Sequence, residues 1–277
     1  MPEPVPTRPQ AAPPEGEARQ RVLFRAGGFE PSAGRIAPWI AFAFILAGWQ
    51  AASSSGILPA LFMPSPAAVA AALWNQVTSG TLLMNIGYSV ERIVWGWLIG
   101  SSLGLLLGFA MGMFSLARSV GLPIVSALFP VPKIALLPLL ILWFGIGEPS
   151  KIAVIALGVF FPYIISTYTA VDGVPRNLIR MALSFGVPTG AIVRKIVLPG
   201  AMPGILAGFR ITTSIALILL VAAEMIGARY GIGAFILAAG NLMQTDQLVA
   251  GVALLSILGL IIAFILGYLE RWLLRWR

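Results

Sequence analysis

The chain contains no cysteine and no histidine. That excludes disulfides, thiol chemistry, zinc sites built on those ligands and imidazole as a general base. A Ser-His-Asp triad cannot be assembled from it. Charge is also scarce: 10% of the 277 residues are charged, against roughly a quarter in a soluble domain. So little polar surface cannot coat a globule of this length in water. There is no GxxxxGK[ST] loop, so nucleotide binding by a P-loop is not expected. No paired aspartates lie in the apolar runs, which together with the missing imidazole and thiol weighs against an intramembrane enzyme.

What is present is hydrophobic, 58% of the residues, and the expected class is an all-α integral membrane protein. The formal charge of +8 points to topology and anionic lipid rather than nucleic acid, because the basic residues cluster beside apolar segments. The first 35 residues hold seven prolines, four acids and five arginines. They are expected to form a disordered cytoplasmic tail, with no apolar core of a secretory leader before Ile36.

A helix needs about 20 apolar residues to cross the bilayer. Six candidates follow: Ile36 to Ala52, Ile93 to Phe114, Leu122 to Phe144, Ile152 to Val171, Ile205 to Ile226 and Leu248 to Leu269. The third is interrupted by Pro130, Pro132 and Pro138. With six spans, Arg8, Arg19, Arg21, Arg25, Arg35, Arg118, Arg176, Arg180, Arg194, Lys195, Arg271, Arg275 and Arg277 all fall on one side. Arg92, Lys151 and Arg229 fall on the other, so both termini are expected in the cytoplasm of a cell membrane. Between the first two spans, Ser65 and Pro66 can start a short interfacial helix through Leu73. Gly100, Gly104, Gly108 and Gly112 recur every four residues along the second span. That spacing allows close helix approach, either within the chain or at a dimer seam.

The long internal loop, residues 172–204, reads as a compact helix–turn–helix. Leu178, Ala182 and Phe185 are spaced to share a helix face. Gly186 followed by Val187-Pro188 ends that helix, and Thr189 can cap a second one that stops near Leu198-Pro199. The spacing Ala182, Gly186, Ile196, Leu198-Pro199 resembles the EAA motif (E-A-A-x3-G-x9-I-x-L-P) of the permeases of ATP-binding-cassette (ABC) importers. Arg180 and Met181 stand where the motif has Glu and Ala, which selects a differently charged partner cleft.

"PVPKIALLPLLILWFGIGEPSK", "IVLPGAMPGILAGFRI" and "LLVAAEMIGARYGIGAFI" are similar to segments of one branch of that family, the permeases for nitrate, sulfonate, taurine and bicarbonate. The likeness runs from about Pro64 to Leu269. It implies a six-helix, MetI-like type I bundle over residues 36–277, with a family core at about 81–270. It implies a homodimer, two copies of a separate ATPase that binds ATP in place of this chain, and an extracytoplasmic substrate-binding protein. On this resemblance Arg180, Ala182, Phe185, Gly186, Ile196, Leu198 and Pro199 form the surface that meets the ATPase. The chain itself is then no enzyme and holds no cofactor or metal.

Three residues stand out as possible pathway groups. Lys133 sits inside the third apolar segment, where a cation is costly unless it faces protein, water or a partner. It either lends positive charge to an anion pathway or, the simpler reading, snorkels to the cytoplasmic face from a span that starts later. Arg210 lies five residues into the fifth span, where snorkelling is again the simpler reading. Glu224 lies near the end of that span, ahead of Gly227, Gly231 and Gly233, and is expected to pair with Arg229 or to meet the binding protein. Glu91 and Arg92 open the second span and are expected to neutralise other charges there. Trp272 and Trp276 with Arg271, Arg275 and Arg277 read as an interface anchor. Two alternatives share these features: a permease of the same family for a thiamine-precursor-like or other organic solute, and an ATP-independent carrier.

Overall fold

The computed structural model describes residues 36–57, 59 and 61–275. The expected tail, with Arg8, Arg19, Arg21, Arg25 and Arg35, and the terminal Trp276 and Arg277 lie outside the described residues. The chain divides into two units, Met1–Gly48 and Trp49–Arg277. In the first, the described residues are the start of helix α1 (Ala37–Ser54), whose Trp39, Phe42 and Phe44 are exposed.

The second unit is helical throughout its regular elements. Helix α2 (Pro66–Thr78) is capped as expected: Ser65 Oγ accepts from the Ala68 amide at 3.2 Å and Pro66 opens the first turn. It continues five residues beyond the expected Leu73 and buries Val69 and Ala72 against Ala250. Helix α3 (Thr81–Met113) starts twelve residues before the expected second span, so Arg92 sits inside the helix rather than at its entrance. Helices α4 (Ser115–Leu128) and α5 (Leu137–Phe144), linked by a 3-10 turn at Lys133–Leu136, bend by 83° at the proline-rich break. Pro130 and Pro132 offer no amide to a continuing ladder, so the helix stops there. Helix α6 (Glu148–Asp172) is the central element, with Val154, Ile155, Val159 and Tyr163 fully buried.

The glycine repeat sets the main seam. Together with Gly96 it packs α3 on α6, within the chain. A Cβ added at Gly96 would lie 2.7 Å from Ile155 Cβ, at Gly100 3.0 Å from Val159 Cβ, and at Gly108 2.7 Å from Thr167 Cβ. A step of four on α3 is matched by a step of four on α6, so the two helices run parallel and in register. Removing every Cβ from one face lets the backbones approach to dispersion contact.

Beyond α6 lie α7 (Arg176–Ser184) and α8 (Thr189–Ile192), a π-helical turn at Val193–Val197, and α9 (Leu198–Gly227). Thr189 to Gly227 is one continuous run of 39 residues. The expectation that the second loop helix stops near Leu198-Pro199 is therefore corrected. The widened π-turn ends just before Pro199, where an α-helical ladder would meet the proline ring, and the helix passes through. Helix α9 runs antiparallel to α6: Gly208 faces Tyr163, Gly204 faces Ala170 and Gly200 faces Val174. Last come α10 (Ile232–Asn241), a short apolar helix absent from the sequence reading, and α11 (Thr245–Leu273).

Among the described residues, four helical runs are long and apolar enough to cross a membrane, α3, α6, Thr189–Gly227 and α11. A fifth is added if the bent α4–α5 pair is one span. The expected first span is the 18-residue α1, which is not among them.

Candidate functional site

Two ends of the bundle concentrate the chemistry. At the loop end, α7 closes with a Schellman arrangement. The Gly186 amide donates to Leu183 O at 2.9 Å and the Val187 amide to Ala182 O at 3.1 Å, with Gly186 at φ +70°. Only glycine takes that backbone without strain, which is why the chain turns there. Ala182, Ile192 and Val197 are buried with Tyr163, Val171, Val174 and Ile205, rooting the loop in the base of α6 and α9. Ile196 and Pro199 are half-buried, and Leu198 is exposed.

The expected common face of Leu178, Ala182 and Phe185 divides. Ala182 points inward and Leu178 is exposed, while Phe185, turned out by the closing turn, is 79% exposed. Met181 and Leu183 are exposed too, with Arg180 beside them. The loop thus offers a firm base and an uncovered apolar tip carrying a cation. Asp172, at its entrance, binds Arg118 at 3.0 Å and Arg176 at 3.4 Å.

At the other end, where α6 begins, the structure brings together residues from four helices. Arg92 is 1% exposed and donates to both carboxylates around it. Its Nη1 reaches Glu224 Oε1 at 2.7 Å and the Tyr230 carbonyl at 2.7 Å. Its Nη2 reaches Glu148 Oε1 at 2.8 Å, and its Nε binds the other Glu148 oxygen. Glu224, also 1% exposed, accepts from Ser89 Oγ and from the Gly233 amide, each at 2.7 Å. The Ile232 amide donates to Ser89 Oγ at 2.9 Å, and the Gly231 amide to Asn85 Oδ1 at 3.0 Å. The first amides of α10 are thereby satisfied by side chains of α3 and α9, which suits the positive end of a helix facing a carboxylate.

The partner of Glu224 is therefore Arg92, and the expectation of Arg229 is corrected. Arg229 is exposed and lies 5.5 Å from the Tyr230 ring. Physically, a carboxylate taken out of water needs a guanidinium equally removed from water, and Arg229 is not. Arg92 was expected to neutralise charge, but as a surface group at a helix entrance. The signal in the sequence is Glu224, set among apolar residues from Val221 to Ile226, which calls for a cation buried with it.

Lys133 and Arg210 sit apart from this cluster. Lys133 Nζ donates to the carbonyls of Leu128 and Phe129 at 2.9 Å and of Val131 at 2.5 Å, satisfying the acceptors freed where α4 breaks. It lies 4.8 Å from the ring of Phe161, about half-way along the 25-residue α6. Both sequence readings of Lys133, pathway cation and snorkelling cation, start from this position beside the middle of α6. The break in the span brings Lys133 to mid-helix and supplies its acceptors. Arg210 pairs with Glu270 of α11 at 2.9 Å and is 62% exposed.

Residues 100–275 match the family model described as binding-protein-dependent transport system inner membrane component. The chain is 38% identical over 242 residues to the permease SsuC assigned to aliphatic sulfonates transport in Escherichia coli, covering 87% of this chain and 92% of the relative. It is 34% identical over 239 residues to the taurine transport system permease TauC of Escherichia coli, covering 84% and 87%. Among solved structures, an inward-facing methionine ABC transporter MetNI matches with a TM-score of 0.56 at 23% identity. That match covers 70% of this chain and 95% of the other, and supports the fold alone.

Proposed function

The chain belongs to the family of inner membrane components of binding-protein-dependent transport systems, and from that premise we propose that its solute is a small organic sulfonate, an anion such as ethanesulfonate or the zwitterion taurine. It is the permease of an ABC importer, works with an ATPase and a substrate-binding protein, and performs no catalysis itself. Two copies form the pathway, two ATPases drive it, and both termini lie in the cytoplasm with six crossings per copy. The run of basic residues at the loop end, Arg118, Arg176, Arg180, Arg194 and Lys195, supports that orientation.

The observation that carries the solute class is Lys133. It is a cation half-way along the bundle with backbone carbonyls, and no carboxylate, as its partners among the described residues. Its charge is satisfied sterically but not neutralised, so an anion passing close by is favoured and a cation repelled. The charges of Arg210 and Glu224 are each met by a charge on another helix, and we assign them to holding helices together.

Transport then follows from the two ends. The ATPases take hold of the apolar tip at Met181 and Phe185, with Arg180 setting the charge of the cleft that accepts it. Their closure on ATP shifts the loop 172–204, and with it the continuous helix that begins at Thr189. The pathway alternates between access from the binding protein and access from the cytoplasm. Proteoliposomes holding the permease, its ATPase and its binding protein are expected to accumulate taurine or ethanesulfonate only with ATP. Accumulation without ATP identifies a carrier. ATP-driven uptake of an uncharged solute, with none of either sulfonate, removes the anion assignment.

A further inference from the structure

Helix α5 lies between two interruptions. Before it are the 83° break and the 3-10 turn. After it come Gly145, Ile146 and Gly147, where Gly145 has φ 83° and ψ 170°, a backbone region essentially reserved for glycine. Only one face of α5 is packed: Leu137 and Leu140 are 1% and 3% exposed, while Leu142 and Trp143 are mostly open.

Beneath the packed face lies Lys151, in the first turn of α6 and 5% exposed. Its Nζ makes one hydrogen bond, to the Gly147 carbonyl at 2.9 Å. Among the described residues no carboxylate comes within ion-pair distance of it: Glu148 and Glu224 both bind Arg92 and act on Lys151 only from farther away. A cavity of about 10 Å³ separates Lys151 from Leu137 and Ile141 of α5 and from Ala223 and Gly227 of α9. It has room for one water and not for a sulfonate. A buried ammonium with one neutral acceptor has an incompletely offset desolvation cost. A fold that keeps such a group under a short helix hinged on glycines has a use for it when the helix moves.

We propose that Lys151 is a gated anion site: α5 covers it in this conformation, and a swing of α5 about Gly145 and Gly147 bares its ammonium to an organic sulfonate arriving from the binding protein. The inference rests on the reading of the chain as an organic-anion permease and names where the anion is first held. Lys133, at the opposite end of α5, is the next cation. An anion following α5 passes from one to the other, while the acids of that end stay held by Arg92.

The test uses the complete transporter in proteoliposomes with taurine and ethanesulfonate. Lys151→Met is expected to lower uptake about tenfold, the loss of one charge-assisted hydrogen bond, and Lys151→Arg to keep most of it. The chain has no cysteine, so Lys151→Cys introduces a single thiol. A neutral maleimide is expected to label it at least about tenfold faster in the vanadate-trapped transporter than without nucleotide. Aminoethyl methanethiosulfonate, which restores an ammonium, is expected to restore uptake, and methyl methanethiosulfonate is not. Wild-type uptake with undiminished uptake by Lys151→Met overturns the site, as does equal labelling in both states or equal rescue by both reagents. Absence of ATP-driven sulfonate uptake by the wild type overturns the parent reading instead.

Discussion

The two ends of the bundle solve opposite problems. Where α6 begins, Arg92, Glu148, Glu224, Ser89, Asn85 and the first amides of α10 satisfy one another, and little of that chemistry faces outward. At the loop end, the backbone is closed just as carefully by the Gly186 turn, yet Met181, Leu183 and Phe185 stand uncovered. The first region is satisfied within the chain, and the second leaves apolar side chains uncovered. On the proposed function the contrast separates residues kept for folding from residues kept for assembly: removing the former is expected to unfold the chain, and removing the latter to leave it folded and idle.

Arg92→Met is expected to have the largest effect, since it strands two carboxylates, one of them fully buried. A loss of about 3–5 kcal/mol is anticipated, seen as a collapse of folded protein in a detergent thermal scan; an unchanged Tm breaks the contrast at its strongest point. Gly186→Pro comes next. It removes the amide that closes α7 and demands a negative φ where the chain has +70°. ATP-driven uptake is expected to fall to background with membrane insertion intact, and uptake at the wild-type rate shows that the turn transmits nothing. Phe185→Ala should change stability by less than about 0.5 kcal/mol while weakening ATPase binding about tenfold, the size of an interface anchor. Unaltered binding in a pull-down titration means that the exposed ring belongs to no interface. Smallest is Arg210→Ala, which breaks an exposed pair worth at most about 1 kcal/mol and should leave solute selectivity as it was. A change of preference between ethanesulfonate and an uncharged solute returns Arg210 to the pathway.

Much of this was legible in the sequence, for identifiable reasons. The membrane class follows from charge scarcity. The turn at Gly186 follows from Gly ahead of Val-Pro, and a close helix contact along α3 from glycines at a fixed interval, though not that α6 is the helix it meets. The partner of Glu224 was not legible, because Arg92 lies 132 residues away and local sequence offered Arg229 first. Nor was the helical passage through Pro199. Proline breaks an α-helix by rule, and the π-turn that accommodates it leaves no composition of its own. Helix α10 was missed because the six apolar residues Ala234 to Ala239 between two glycines are too few to register beside the long runs around them. The nearness of Lys133 to Phe161 was hidden as well, since it depends on how sharply the preceding prolines bend the chain.

The continuity of the run from Thr189 to Gly227 has a mechanical meaning. At 39 residues it is a rod about 58 Å long, whose one end is seated among Ala182 and Val187 and whose other end carries Glu224 into the grip of Arg92. The π-turn and Pro203 are the points along it where the regular ladder is interrupted. On the proposed function, a motor bolted to one face of the membrane tugs on a clasp at the opposite face through a single covalent beam.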